Sequence, residues 1–96
     1  MADRLRLRIY TPEQEVADEV VREVTAPGAY GEIGVLPDHA ALVTALEPGV
    51  LSYLGDAGPV KLSVAGGFAE VRDNVVTVLV DTLAPVSVPT RSPGAA

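Results

Sequence analysis

Phe68-Ala69-Glu70-Val71-Arg72-Asp73-Asn74-Val75-Val76-Thr77-Val78-Leu79-Val80 is the stretch that decides the fold. Two runs rich in β-formers flank Asp73-Asn74, and Asp and Asn accept the positive φ that a tight hairpin turn demands. The stretch therefore predicts two antiparallel strands. In the second run Val75, Val76, Val78, Leu79 and Val80 leave only Thr77 as polar relief, so apolar side chains fall on both faces. Such a strand lies centrally in a sheet or has its second face covered by a partner.

The same pattern continues towards the N-terminus. Gly55-Asp56-Ala57-Gly58-Pro59 separates Val50–Leu54 from Val60–Val64 and predicts a second hairpin. Glu32–Leu36 reads as a further strand. In Val20–Ala26 the adjacent valines Val20 and Val21 interrupt the alternation, which predicts a strand with a bulge or twist. At the start, Leu5, Leu7 and Ile9 alternate with Arg4, Arg6, Arg8 and Tyr10, giving one apolar and one basic, solvated face. Gly, Pro, Asn and Asp break the chain about every eight to twelve residues, the spacing of an all-β sandwich or barrel. Asp38–Leu46 is the best helical candidate and reads equally well as a turn followed by a strand. Beyond Thr82, Pro85, Pro89 and Pro93 with Ser87, Ser92 and Gly94 predict a disordered tail from about Pro85, so one domain is expected over 1–84 and a tail over 85–96.

The 96 residues are 48% hydrophobic, enough for one small domain with its own core. With no cysteine, neither a disulfide framework nor a thiolate metal site is available. A formal net charge of -6 argues against nucleic acid, whose binding needs a basic face. No apolar run suits a signal peptide or approaches the ~20 residues of a membrane span, so any membrane association is expected to come through other subunits.

Reactive groups are sparse. His39 is the single histidine, too few for a His/Cys zinc site. Ser52 or Ser63 with His39 has no spacing that supports a nucleophilic triad. Gly66-Gly67 is followed by neither Lys-Ser nor Lys-Thr and runs into a strand, so it reads as a bulge or tight turn and not as a phosphate loop. No catalytic, metal or cofactor-binding residue is expected, and no small-molecule substrate.

Gly31-Glu32-Ile33-Gly34-Val35-Leu36-Pro37-Asp38-His39-Ala40 resembles the stretch that marks the epsilon subunits of bacterial F-type ATP synthases. Family-like motifs follow in order: Leu42–Val50, Val64-Ala65-Gly66-Gly67-Phe68-Ala69-Glu70-Val71 and Asn74–Thr82. The resemblance runs from about Leu5 to Thr82. Asp38 stands where glycine is usual and Ala41 where proline is usual. The resemblance implies a flattened β-sandwich of about ten short strands at the foot of the central stalk. It implies a non-catalytic rotor subunit, peripheral on the cytoplasmic face of the bacterial cell membrane, that binds the gamma subunit and the c ring and couples ion flow to ATP synthesis. Carried over by position, Glu32 and His39 are the candidates for c-ring contact, and Gly31, Gly34 and Asp38 shape their loop. The plainer readings are a solvated acid at Glu32 and, at His39, a ring satisfied by a neighbouring carbonyl. Family members usually continue into two long helices after Asp81-Thr82, and the Pro/Ser-rich stretch here leads to the expectation that the inhibitory hairpin is lacking. The alternative from another class is a free-standing β-sandwich interaction module or assembly factor.

Overall fold

The computed structural model describes residues 2–86. Seven strands follow one another: β1 (Leu5–Tyr10), β2 (Glu15–Gly28), β3 (Gly31–Val35), β4 (Leu42–Gly55), β5 (Gly58–Arg72), β6 (Val75–Val80) and β7 (Leu83–Pro85). The all-β expectation holds. The count of about ten short strands is corrected to seven, because β2, β4 and β5 are 14, 14 and 15 residues long and each serves both layers of the sandwich.

The reason lies in where the side chains point. In β5, Val64 and Gly66 face inward, and beyond Gly67 the inward set shifts to Ala69 and Val71. β4 makes the same change of phase between Leu46 and Leu51, and β2 between Val21 and Val24. A strand that switches which parity is buried reads in sequence as two strands with a break between them. At Val21/Glu23 the register of β2 against β4 shifts, which is the bulge expected in Val20–Ala26.

Pairing runs β1-β6-β5-β4-β2, and β1 also pairs β2, so these five strands close a circuit. β1 is parallel to β6 and antiparallel to β2. β3 extends the circuit beside the second half of β2, and β7 lies against the first half of β5. Inside sit Leu5, Leu7, Ile9, Val21, Val24, Leu51, Val71, Val76 and Val78, all at most 1% exposed. Burial of each such side chain contributes about 1.5–3 kcal/mol. Asp73 and Asn74 take φ of 53° and 64°, the left-handed pair that the Phe68–Val80 reading required. β6 is central, between β1 and β5.

Of the two readings of Asp38–Leu46, the turn followed by a strand holds: a turn closes with His39 N–H donating to the Leu36 carbonyl at 3.1 Å, and β4 begins at Leu42. The stretch after Thr82 does hold a ladder, with Leu62 opposite Pro85, and Val86 N–H donates to the Lys61 carbonyl at 3.1 Å. Proline fits there because β7 is an edge strand whose missing N–H faces outward. Pro85 and Val86 are therefore paired with β5 and do not begin a disordered tail. The rest of the expected tail, 87–96, lies outside the described residues.

Candidate docking surface

The strand alternation that buries Val76, Val78 and Val80 turns Val75, Thr77 and Leu79 to the opposite face. Register then places their neighbours. Tyr10 of β1, Leu79 of β6, Phe68 of β5 and Ala45 of β4 form one row across four strands. The adjacent row on the same face is Arg8, Thr77, Glu70 and Val43. Val43 is 71% exposed, Phe68 57% and Leu79 51%. Three large apolar side chains so placed on neighbouring strands form a contiguous patch rather than scattered exposure. Shallow grooves flank the Phe68/Leu79 pair, one running to Val43 and Thr77, the other to Tyr10 and Pro12.

Gly67 holds this face in shape. Its φ is 137°, and a Cβ there would stand 2.0 Å from the Leu79 carbonyl oxygen and 2.9 Å from Val80 Cα. Only glycine allows β5 to press this closely on β6. The expectation that the backbone needs glycine at Gly66-Gly67 holds, since both residues have positive φ, but the register of β5 against β4 is the same on either side of them, so they mark a distorted strand and neither a bulge nor a turn.

At the β1 border of the patch, Asp18 accepts both guanidinium hydrogen bonds of Arg6, at 2.8 and 2.7 Å. The Arg6 hydrogen bond holds the Asp18 carboxyl below its usual range and raises the guanidinium in turn. Arg8 lies over the Tyr10 ring at 5.4 Å. Its Nε is 4.0 Å from Asp18 and has no hydrogen-bond partner among the described residues.

The Gly31–Ala40 segment is a different kind of surface. It is not one loop but the edge strand β3 followed by a turn. Glu32 is exposed and sits opposite Pro27, near the β2/β3 turn whose tip carries the fully exposed Tyr30. His39 lies beyond the other end of β3. Glu32 and Val35 alone are about 10 Å apart along an extended strand, so the two candidates do not converge on one point. Gly31 has φ 124°, as a residue shaping the turn should. Asp38 has φ 67°; its N–H donates to Asn74 Oδ1 at 2.6 Å, and Ala2 N donates to its Oδ2 at 3.2 Å. Gly34 pairs with Thr25 inside β3, without positive φ and with open space where a Cβ would stand, so no backbone requirement explains it. His39 Nδ1 is 2.6 Å from the Ala40 carbonyl, the plainer arrangement foreseen for it, and its other ring nitrogen makes no hydrogen bond among the described residues.

Sequence reasoning flagged the two-faced β6 but not Phe68 or Val43, which only the β4–β5–β6 register brings beside Leu79. Their signal was present as alternation on each strand taken separately. Among the described residues no group of three or more His, Cys, Asp or Glu could hold a metal ion, and no helix is long and apolar enough to cross a membrane.

Residues 4–86 match the family described as ATP synthase, Delta/Epsilon chain, beta-sandwich domain. The ATP synthase epsilon chain of Carboxydothermus hydrogenoformans is 49% identical over 79 residues, 82% of this chain and 59% of that relative. The corresponding chain of Desulfitobacterium hafniense is 45% identical over 85 residues, 88% of this chain and 64% of the relative. This chain thus spans about six-tenths of the length of the curated relatives it matches. Among solved structures, a chain in the Euglena gracilis mitochondrial ATP synthase OSCP/F1/c-ring assembly superposes with TM-score 0.82 at 28% identity, covering 88% of this chain and 55% of that one. A chain in the Tetrahymena thermophila mitochondrial ATP synthase central stalk/c-ring structure shares the fold, with TM-score 0.69 at 21% identity over 84% of this chain and 66% of that one. A sandwich with three strands common to both layers, the ordered motifs from Gly31 to Thr82 and a family match over nearly all the described residues lead to one conclusion: this chain belongs to the ATP synthase Delta/Epsilon chain beta-sandwich family.

Proposed function

We propose that this chain is a non-catalytic rotor subunit of an F-type ATP synthase, seated in the central stalk at the cytoplasmic face of a bacterial membrane. Its sandwich is gripped by the gamma subunit over the Val43, Phe68 and Leu79 face. Glu32 and His39, at the two ends of β3, are directed to the c ring. The observation that carries this reading is the apolar face itself: the core is already complete without those side chains, so their exposure is explained by a partner that covers them. The names and assemblies of the relatives support the same assignment.

Mechanical coupling favours a broad face over a single contact. One proton crossing 100 mV delivers about 2.3 kcal/mol, whereas one hydrogen bond nets only about 0.5–1.5 kcal/mol. A rotor joint that carries several protons' worth of work needs many packed atoms. Replacing Glu32 or His39 alone is therefore expected to weaken assembly without abolishing ATP synthesis. A Glu32→Ala complex that assembles normally yet makes no ATP would overturn that expectation.

Co-purification tests the assignment. A rotor subunit comes down with gamma in a one-to-one ratio, and a free-standing interaction module does not.

A further inference from the structure

The docking face has a polarity that its apolar patch does not require. Beside the Tyr10, Leu79, Phe68 and Ala45 row lies the row Arg8, Thr77, Glu70 and Val43, with a cation at its β1 end and an anion two strands along it. The two charges are separated by two strand spacings, about 10 Å. Arg8 has one loose pairing, with Asp18 at 4.0 Å, and Glu70 has none among the described residues. Asp18, the nearest acid to Arg8, spends its oxygens on Arg6 at 2.7–2.8 Å and stands 4.0 Å from Arg8 Nε. Glu70 makes no ion pair among the described residues. The Arg8 guanidinium is also held in place by its contact with the Tyr10 ring. Arg8 Nε is buried, so the two terminal nitrogens are what the residue offers at the rim of the apolar patch, and that pair is suited to bidentate recognition of a carboxylate.

We infer that the partner segment on this face carries a carboxylate opposite Arg8 and a cation opposite Glu70, about 10 Å apart, beside apolar side chains that cover Leu79 and Phe68. The inference rests on the docking role proposed for this face. On a helix the two charged residues stand about two turns apart. The paired charges fix the direction in which the segment lies, since reversing it sets like charges together. The apolar patch alone has no such preference. This polarity is therefore the specificity device of the joint, and the patch supplies its adhesion.

The test measures binding of the full chain to the purified gamma subunit from the same genome, at low and at high salt. Phe68→Asp reports on the face itself and is expected to abolish binding; wild-type binding by this variant, or no binding by the wild-type chain, removes the docking role. With that role in place, Arg8→Gln is expected to weaken binding about tenfold and flatten its salt dependence. Glu70→Gln has a smaller effect in the same direction. Arg8→Lys keeps the charge and guards against a loss caused by the Tyr10 contact, and it is expected to bind more tightly than Arg8→Gln. The swap Arg8→Glu with Glu70→Arg preserves net charge and is expected to bind worse than either neutral variant. Wild-type affinity and salt slope in Arg8→Gln and Glu70→Gln, alongside failed binding by Phe68→Asp, would overturn the inference while leaving the docking role standing.

Discussion

The β5/β6 face and the Gly31–His39 segment are both exposed, and both contain glycines within family-like motifs, but they are built by opposite means. At Gly67 the backbone of β5 approaches β6 so closely that a Cβ would sit 2.0 Å from a carbonyl oxygen. At Gly34 there is open space and ordinary extended backbone. The first region is the middle of the pairing circuit, with a strand on either side of β6; the second is an edge strand with one neighbour and a turn pinned by Asp38. A glycine in a recognisable motif is therefore not evidence of a backbone constraint. The constraint comes from what the neighbouring strand places beside it.

The sharpest way to break this contrast is Gly67→Ala. Positive φ and a backbone clash together predict a loss of more than about 3 kcal/mol, with β6 displaced from β5. Denaturant unfolding measures it, and a variant as stable as wild type would mean that the two regions do not differ.

A smaller effect is expected at Tyr53, whose hydroxyl donates to Glu19 Oε2 at 3.0 Å and ties β4 to β2. Burial, and then the bond to Glu19, push the Tyr53 phenol up to about 12. The folded state keeps this proton while the unfolded chain loses it near pH 10. Its contribution is whole below about pH 10 and disappears as pH climbs to about 12. Tyr53→Phe should cost about 1 kcal/mol at neutral pH and flatten the alkaline limb of the stability profile recorded between those values.

In the edge segment, Asp38→Ala loses the carboxylate that accepts from Asn74 Nδ2 and Ala2 N, and leaves a residue without that local support at φ 67°, for a cost of about 1 kcal/mol. Asp38→Gly should recover part of that loss in the same thermal melts. Gly34→Ala has the smallest expected effect, and of opposite sign: a gain of roughly 0.4–1 kcal/mol from reduced freedom of the unfolded chain. Marked destabilisation there would show that β3 is more constrained than its geometry indicates.

Local chemistry was legible in the sequence wherever it sufficed. Leu5, Leu7 and Ile9 gave β1, Asp73-Asn74 gave a left-handed hairpin turn, and Gly66-Gly67 gave a backbone distortion. What escaped was set by partners distant in the chain. Val50–Leu54 read as a strand by itself, yet β4 runs back through Glu47, Pro48 and Gly49 to Leu42 because β5 pairs on both sides of them, with Leu46 opposite Gly67 and Pro48 opposite Ala65. The first part of β2, Glu15–Glu19, carries no strand pattern of its own; its neighbour β1 supplies the pairing and its outer face is wet. Of the candidate site, the segment from Gly31 to His39 was found by motif and the apolar face only by half, through β6. Nothing within β4 or β5 alone announces that Val43 and Phe68 will lie beside Leu79.

The closed circuit bears on how the domain meets load. β1 is bonded to β6 on one side and β2 on the other, so the first strand locks the loop formed with β2, β4, β5 and β6. An open sheet can be peeled from a loose margin one bond at a time, like a zip. A hoop offers no such starting point, and torsion applied across it must shear a whole ladder at once, as a barrel's staves resist twisting only while the band is unbroken.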